Sequence, residues 1–399
     1  MARRTRGAIL GGSIALCLAL AACSTDGGSE SSGTTGGPTA STAQCPRPSV
    51  TPPSGGAAPG DEAPGDEAPG GAAPGGAPSL PFATSVAPGD TGTSTVITAG
   101  GAQIRCGKVA VKAHRDIVYA TPSAAGKKTE LKLDIQVPAT DGRKPLVVYV
   151  PGGGFVRADK SGALDQRTYV AEQGYAVASI EYRTTSDRAT YEEGVADVKS
   201  AIRYLRAHAD EYGIDAGKVA VWGESAGGYL AAMVGTTQGV ERFDAGDHLD
   251  ESSDVQAVVD KFGPSDLARI GADFDTAARQ ANVTPGNSAA AWVYGPGTKK
   301  SVTDDPAAVA RANPATYADS SDPAFLLFHG SADRLVSPSQ TLLLHNALRA
   351  KGVDSTRYVL TGADHGDLAF MGAAEAGLPW TTEQAVGIMV RFLGERLRG

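Results

Sequence analysis

With 399 residues, the chain has length for one large domain or two ordinary ones, and its 51 glycines and 24 prolines are unevenly spread. Its formal net charge is -8, with no basic block beyond residue 6. That balance excludes the electrostatic footprint of a nucleic-acid-binding protein.

Residues 1–22 read as an export signal. Arg3, Arg4 and Arg6 form a basic start, and an apolar stretch follows that is too short to span a membrane comfortably. The end of that stretch, Leu20-Ala21-Ala22-Cys23, is similar to the bacterial lipobox. The resemblance implies cleavage before Cys23, lipidation of that cysteine and anchoring on the outer face of the cell membrane. Ordinary cleavage at a small-residue site, with Cys23 incidental, is the alternative. Residues 23–108 are expected to form a tether. Their core, A-P-G-D-E-A-P-G-D-E-A-P-G-G, lacks the apolar surface needed to offset chain entropy. Beyond Cys23, Cys45 and Cys106 form an even pair in an oxidising compartment. A bridge between them would tie the tether to the domain edge; two free thiols are the other reading.

From 109 to 399 the sequence alternates two periods. Arg115–Ala120 and Glu130–Val137 read as antiparallel strands, with Leu131, Leu133, Ile135 and Val137 alternating with polar residues. Continuous apolar runs at Leu146–Val150, Ala176–Ile180, Val219–Trp222, Val255–Phe262, Ala324–Phe328 and Thr356–Leu360 fit a buried parallel sheet. Val195, Val198, Ile202 and Leu205 mark one helix face, and Leu342, Leu343, Ala347, Leu348 and Ala350 another, stopped by Lys351-Gly352. A last helix is expected over Thr382–Leu397. Alternating β and α units predict a three-layer α/β fold, a mostly parallel central sheet with helices on both faces.

The stretch W-G-E-S-A-G-G at 222–228 follows a strand pattern and precedes a small-residue helix. Glycines at 223 and 227 permit a tight strand-to-helix turn that lifts the Ser225 hydroxyl out of the sheet toward a helix N-terminus. A nucleophilic serine needs a base, and the base an orienting acid. Of six histidines, His208 and His345 fall in helices, His114 precedes the first strand and His248 lies in a polar loop. His329 ends a strand but is followed by Asp333, a better candidate for the acid. His365 lies just past the last strand, at the carboxyl edge where open α/β sheets place their chemistry. Asp364 and Asp367 flank it as rival acids with poorer geometry. After the L-V-V-Y-V strand, Pro151-Gly152-Gly153-Gly154-Phe155 lets the backbone approach a substrate. The N–H groups of Gly153, Gly154 and Ala226 are the candidate oxyanion hole.

The stretches Y-V-P-G-G-G-F, V-A-V-W-G-E-S-A-G-G, V-V-D-K-F-G-P-S-D-L, F-L-L-F-H-G-S-A-D-R-L-V-S-P-S-Q and G-A-D-H-G together resemble the α/β-hydrolase superfamily. More narrowly, the chain is similar to bacterial carboxylesterases related to hormone-sensitive lipase and to acetyl-xylan and feruloyl esterases. The resemblance spans nearly all of residues 115–397. It implies the three-layer α/β-hydrolase fold, a Ser225–His365–Asp333 triad, an acyl-enzyme intermediate and a buried structural role for Asp197. The implied substrate is a short-chain acyl ester, free or linked to a polysaccharide. The sequence departs from this family at Pro151, where histidine is usual. Glu224 suits a hydrogen-bonded structural role, Phe155 lines the acyl pocket or packs, and residues 264–320 are expected to include a cap. A serine peptidase or amidase of the same fold, and a surface binding protein on a hydrolase scaffold, are the competing readings. No metal-ligand spacing or dinucleotide fingerprint is present, so neither metal nor cofactor is expected.

Overall fold

The computed structural model describes residues 43–47, 82–98, 100–124, 127–366 and 374–399. The expected signal segment, Cys23, most of the expected tether and Asp367 lie outside those residues. Among the described residues, no helix is long and apolar enough to cross a membrane.

One nine-stranded sheet organises residues 95–399. Its strands are β1 (Thr95–Thr98), β2 (Val111–Ala120), β3 (Leu131–Pro138), β4 (Lys144–Val150), β5 (Ala176–Ile180), β6 (Ile214–Glu224), β7 (Ala257–Lys261), β8 (Ala324–Gly330) and β9 (Ser355–Thr361). They pair in the order β2-β3-β5-β4-β6-β7-β8-β9-β1. The β2–β3 and β3–β5 pairs are antiparallel. Every other pair is parallel.

The central strands are buried on both faces, and their period of two divides the core. Leu146, Val148, Val150, Val221, Val258, Phe325 and Leu327 point into one apolar layer. Their neighbours Val147, Tyr149, Ala220, Trp222, Ala257, Val259, Leu326 and Phe328 point into the other. Helices α2 (Tyr191–Ala207), α3 (Ala226–Thr236) and α4 (Ser339–Ala350) contribute side chains to the first layer, α1 (Leu164–Glu172) and α5 (Glu383–Leu397) to the second. Helix α2 starts at a capping box, with Thr190 N–H donating to Glu193 at 2.8 Å. Its predicted face, Val195, Val198, Ile202 and Leu205, is fully buried. In α5 the Thr382 hydroxyl accepts the Ala385 N–H at 3.1 Å.

Two expectations are corrected. The boundary at 108/109 falls too late, because residues 82–108 belong to the fold. Strand β1 adds in parallel to β9, Ala83 and Ile104 are buried, and Cys45 is disulfide-bonded to Cys106. A four-residue β-branched run set among Gly, Pro and Thr gives too short a periodic signal to separate from a tether. The second correction concerns the face of α4. Leu342, Leu343, Ala347 and Ala350 are not the buried side; Gln340, Thr341, Leu344, His345 and Leu348 are. That face is polar because it anchors loops. Gln340 accepts the N–H groups of Ser265 and Asp266 at 2.7 and 2.8 Å and donates to the Arg269 carbonyl.

Candidate active site

Strand β6 ends at Glu224 and α3 begins at Ala226, so the direction of the chain reverses within one residue. Ser225 takes φ 56°, ψ -121°, a left-handed conformation rare for a side-chain-bearing residue. The turn closes only around glycine. A Cβ at Gly223 would lie 2.0 Å from the Gly227 carbonyl oxygen, and one at Gly227 would lie 2.0 Å from that of Val150. The Ser225 N–H donates to the Lys261 carbonyl at 2.9 Å, fixing the turn to the neighbouring strand.

Three loops at the carboxyl ends of β6, β8 and β9 bring the expected residues together. His365 Nε2 lies 2.9 Å from Ser225 Oγ, and its Nδ1 lies 2.8 Å from Asp333 Oδ2. Asp333 is fully buried, and its Oδ1 accepts the N–H groups of Leu335 and Val336, both at 2.9 Å. Burial by itself raises the affinity of this carboxyl for a proton. The facing His365 and hydrogen bonds from His329 and His365 outweigh it and hold Asp333 below the usual carboxylate range. Asp364 is engaged elsewhere: it accepts from Arg334 Nε at 2.7 Å and from the His365 N–H at 2.8 Å.

The glycine loop after β4 lies against the turn, a Cβ at Gly152 falling 3.1 Å from Ser225 Cβ. Gly153 and Gly154 have φ of 148° and 61°. Among the described residues, none accepts a hydrogen bond from the N–H of Gly153, Gly154 or Ala226. Ala226 opens α3, where first-turn N–H groups have no partner inside the helix and the dipole favours negative charge.

Sequence reasoning missed what holds this loop. The Tyr182 hydroxyl donates to the Pro151 carbonyl at 2.9 Å. The Thr185 N–H and hydroxyl both donate to the Phe155 carbonyl, at 2.9 and 3.0 Å. The Thr184 and Ser186 hydroxyls donate to Val156, at 3.2 and 2.7 Å. The run Y-R-T-T-S at 182–186 thus ties the loop. Its only signal was a cluster of hydroxyl side chains just after a strand. Phe155 packs, stacked on Trp292 at 5.1 Å and edge-on to Tyr229 at 5.4 Å. Trp292 comes from the expected cap, where short helices span Thr276–Asn282, Ser288–Tyr294 and Pro306–Arg311.

A buried polar cluster underlies the serine. Lys261 Nζ sits 3.2 Å from Glu224 Oε1 and also donates to Gln166, while the Tyr149 hydroxyl donates to Glu224 at 3.4 Å. Behind the histidine, the Phe262 ring lies 4.6 Å from that of His365 and 4.8 Å from that of Trp380. Asp197 is buried and accepts from Arg183 by the backbone N–H at 2.9 Å, Nε at 2.8 Å and Nη2 at 2.7 Å, an ion pair.

Residues 133–348 match the BD-FAE family, a span of more than half the chain. Esterase LipC of Mycobacterium tuberculosis is 32% identical over 228 residues, covering 56% of this chain and 53% of the relative. Probable carboxylic ester hydrolase LipM of the same organism is 30% identical over 200 residues, covering 50% of this chain and 43% of the relative. The chain therefore spans about half the length of these curated relatives. Among solved structures, a truncated carbohydrate esterase from gut microbiota superposes with TM-score 0.59 at 26% identity, over 72% of this chain and 97% of that one. Thermogutta terrifontis esterase 2 superposes with TM-score 0.53 at 26% identity, over 72% and 92%. The strand order, the turn at Ser225 and these likenesses agree on an α/β-hydrolase fold, and by its family match the chain belongs to the BD-FAE family.

Proposed function

We propose that this protein is a serine carboxylesterase that hydrolyses short-chain acyl esters, free or carried on a polysaccharide. The observation that carries the reading is the hydrogen-bonded row from Ser225 Oγ through His365 to buried Asp333, at 2.9 and 2.8 Å. The relatives named as esterases support it, and the likeness to a carbohydrate esterase supports the polysaccharide-linked class.

In this reading Ser225 Oγ attacks the ester carbonyl while His365 Nε2 takes its proton. Asp333 keeps the other ring nitrogen as the N–H donor and stabilises the imidazolium that forms. The new oxyanion is held by the N–H groups of Gly153, Gly154 and Ala226, near the positive end of the α3 dipole. The tetrahedral species collapses, and the alcohol leaves with the proton from His365. Water then attacks the acyl-serine, giving its proton to His365, and the acid departs as serine is restored. We also propose export and lipidation at Cys23, supported by the sequence of residues 1–23.

The test is hydrolysis of a p-nitrophenyl ester series, from acetate to octanoate, by the full chain and by Ser225→Ala. The proposal expects turnover of the short esters by the parent and none by the variant. Retained turnover in Ser225→Ala rejects the assignment. For the anchor, cells fed a fatty-acid label should mark the parent and not Cys23→Ser; label on both rejects it.

A further inference from the structure

His329, at the end of β8, takes no part in the mechanism above, yet it is fully buried with both ring nitrogens engaged. Its Nε2 lies 3.0 Å from the Val336 carbonyl oxygen and 3.2 Å from Asp333 Oδ2. Both neighbours only accept, so Nε2 carries a hydrogen. Its Nδ1 lies 3.0 Å from the Thr341 hydroxyl, and that oxygen already accepts from Arg357 Nε at 2.9 Å. Thr341 therefore has its own O–H to give to Nδ1. The acceptors around Nε2 place a hydrogen there. Arg357 is itself buried and donates its other nitrogens to Ser94 and the Pro338 carbonyl, both at 2.7 Å.

Both oxygens of the Asp333 carboxylate are thus engaged, and the single Nε2–H of His329 lies between the Val336 carbonyl and Oδ2. Oδ1 holds two backbone N–H groups, and Oδ2 is shared between His365 Nδ1 at 2.8 Å and His329 Nε2 at 3.2 Å. Among the described residues, the other ionisable groups on these elements have partners of their own, Asp364 also accepting the His365 N–H. Arg334 and Asp364 pair with each other. His345 on α4 is held by Ser355 and the Thr93 carbonyl. What Oδ2 gives to His365 depends on what His329 draws from it.

We propose that His329 is a positioning residue for Asp333: its Nε2–H fixes Oδ2 and withdraws charge from it, and so sets the pH at which His365 becomes a free base. The kinetic part of this inference rests on the esterase reading; the His365 titration does not. The two substitutions to compare are His329→Gln, whose side-chain amide retains a donor, and His329→Phe, which retains the bulk of the ring without one. The readouts are the acidic limb of kcat/KM and the titration of the His365 ring protons by NMR, both on the full chain.

Without the donor, Oδ2 is a stronger partner for the imidazolium. His329→Phe therefore moves both midpoints up by about half to one pH unit, so that rates fall several-fold on the acid side and recover toward the parent on the alkaline side. His329→Gln stays with the parent. Equal movement in both variants, or a rate loss at every pH with the His365 midpoint unmoved, overturns the proposal and leaves His329 a packing residue. Should His329→Phe not fold, His329→Met, which also removes the Nε2 donor, must move the titration the same way; an unmoved midpoint overturns it. An inert parent rejects the esterase reading and leaves the His365 titration to decide this one.

Discussion

Lys261 holds Ser225 from two directions: its carbonyl accepts the Ser225 N–H at 2.9 Å, and its ammonium faces, at 3.2 Å, the carboxylate of Glu224, the residue before the serine. The two strands lie in parallel register with Glu224 beside Lys261. Breaking a buried pair leaves one charge uncompensated, at a cost of about 3–5 kcal/mol. Lys261→Met should therefore lower unfolding free energy by that order in urea titrations. The double variant Glu224→Gln, Lys261→Met should recover most of the loss. A double variant no better than the single one would show that the pair itself does not matter.

The glycine loop makes a separate prediction. Tyr182 reaches the Pro151 carbonyl through one hydroxyl. Tyr182→Phe should cost about 1 kcal/mol of stability, while kcat for a short ester falls more than tenfold, because the N–H groups of Gly153 and Gly154 lose their alignment. Equal, small losses in both quantities would separate the loop from turnover.

Backbone crowding at the turn admits no methyl group. Gly227→Ala would drive a Cβ to 2.0 Å from the Val150 carbonyl oxygen and 2.7 Å from that of Pro151. The expected outcome is a loss of about 3 kcal/mol or more, seen as a lowered thermal midpoint. A variant as stable as the parent would mean that the turn is looser than described.

Asp260 predicts how stability depends on pH. Burial raises its carboxyl to about 7, against one opposing hydrogen bond from the Gly263 N–H; its Oδ2 has no hydrogen-bond partner among the described residues. In the unfolded chain the same group titrates near about 3.9. Between those values the native state holds the proton that the unfolded state has lost, so this group's contribution falls as pH rises from about 4 to 7 and is level above. Relative to Asp260→Asn, the parent should lose stability steadily across that window. Parallel melting curves at pH 5 and pH 8 would count against a protonated Asp260.

The central strands and the order serine, acid, histidine were legible because each is a local pattern: an apolar run, then small or polar residues at its carboxyl end. The face of α4 was not, since its buried side carries Gln340, Thr341 and His345, whose partners, Ser265, His329 of β8 and Thr93, are brought to it only by the fold. Strand β1 was hidden for a related reason, because a T-V-I-T run becomes a strand only when β9 supplies its hydrogen bonds. The loop ties at 182–186 and the pairing of Lys261 with Glu224 also depend on strand order. Composition does not carry that order.

The bond between Cys45 and Cys106 changes how the N-terminal segment is connected. Covalently, the shortest path from Cys23 to the hydrolase fold runs through residues 24–44 and across the two sulfurs. The Pro-Gly-acid repeats lie off that path, in a segment held to the fold at both ends, by the disulfide at Cys45 and by buried Ala83. A pull applied at Cys23 would be borne by the disulfide and not transmitted along the repeats. Adding or deleting repeats would change the length of the segment between Cys45 and Ala83, and would leave the number of residues before Cys45 as it is.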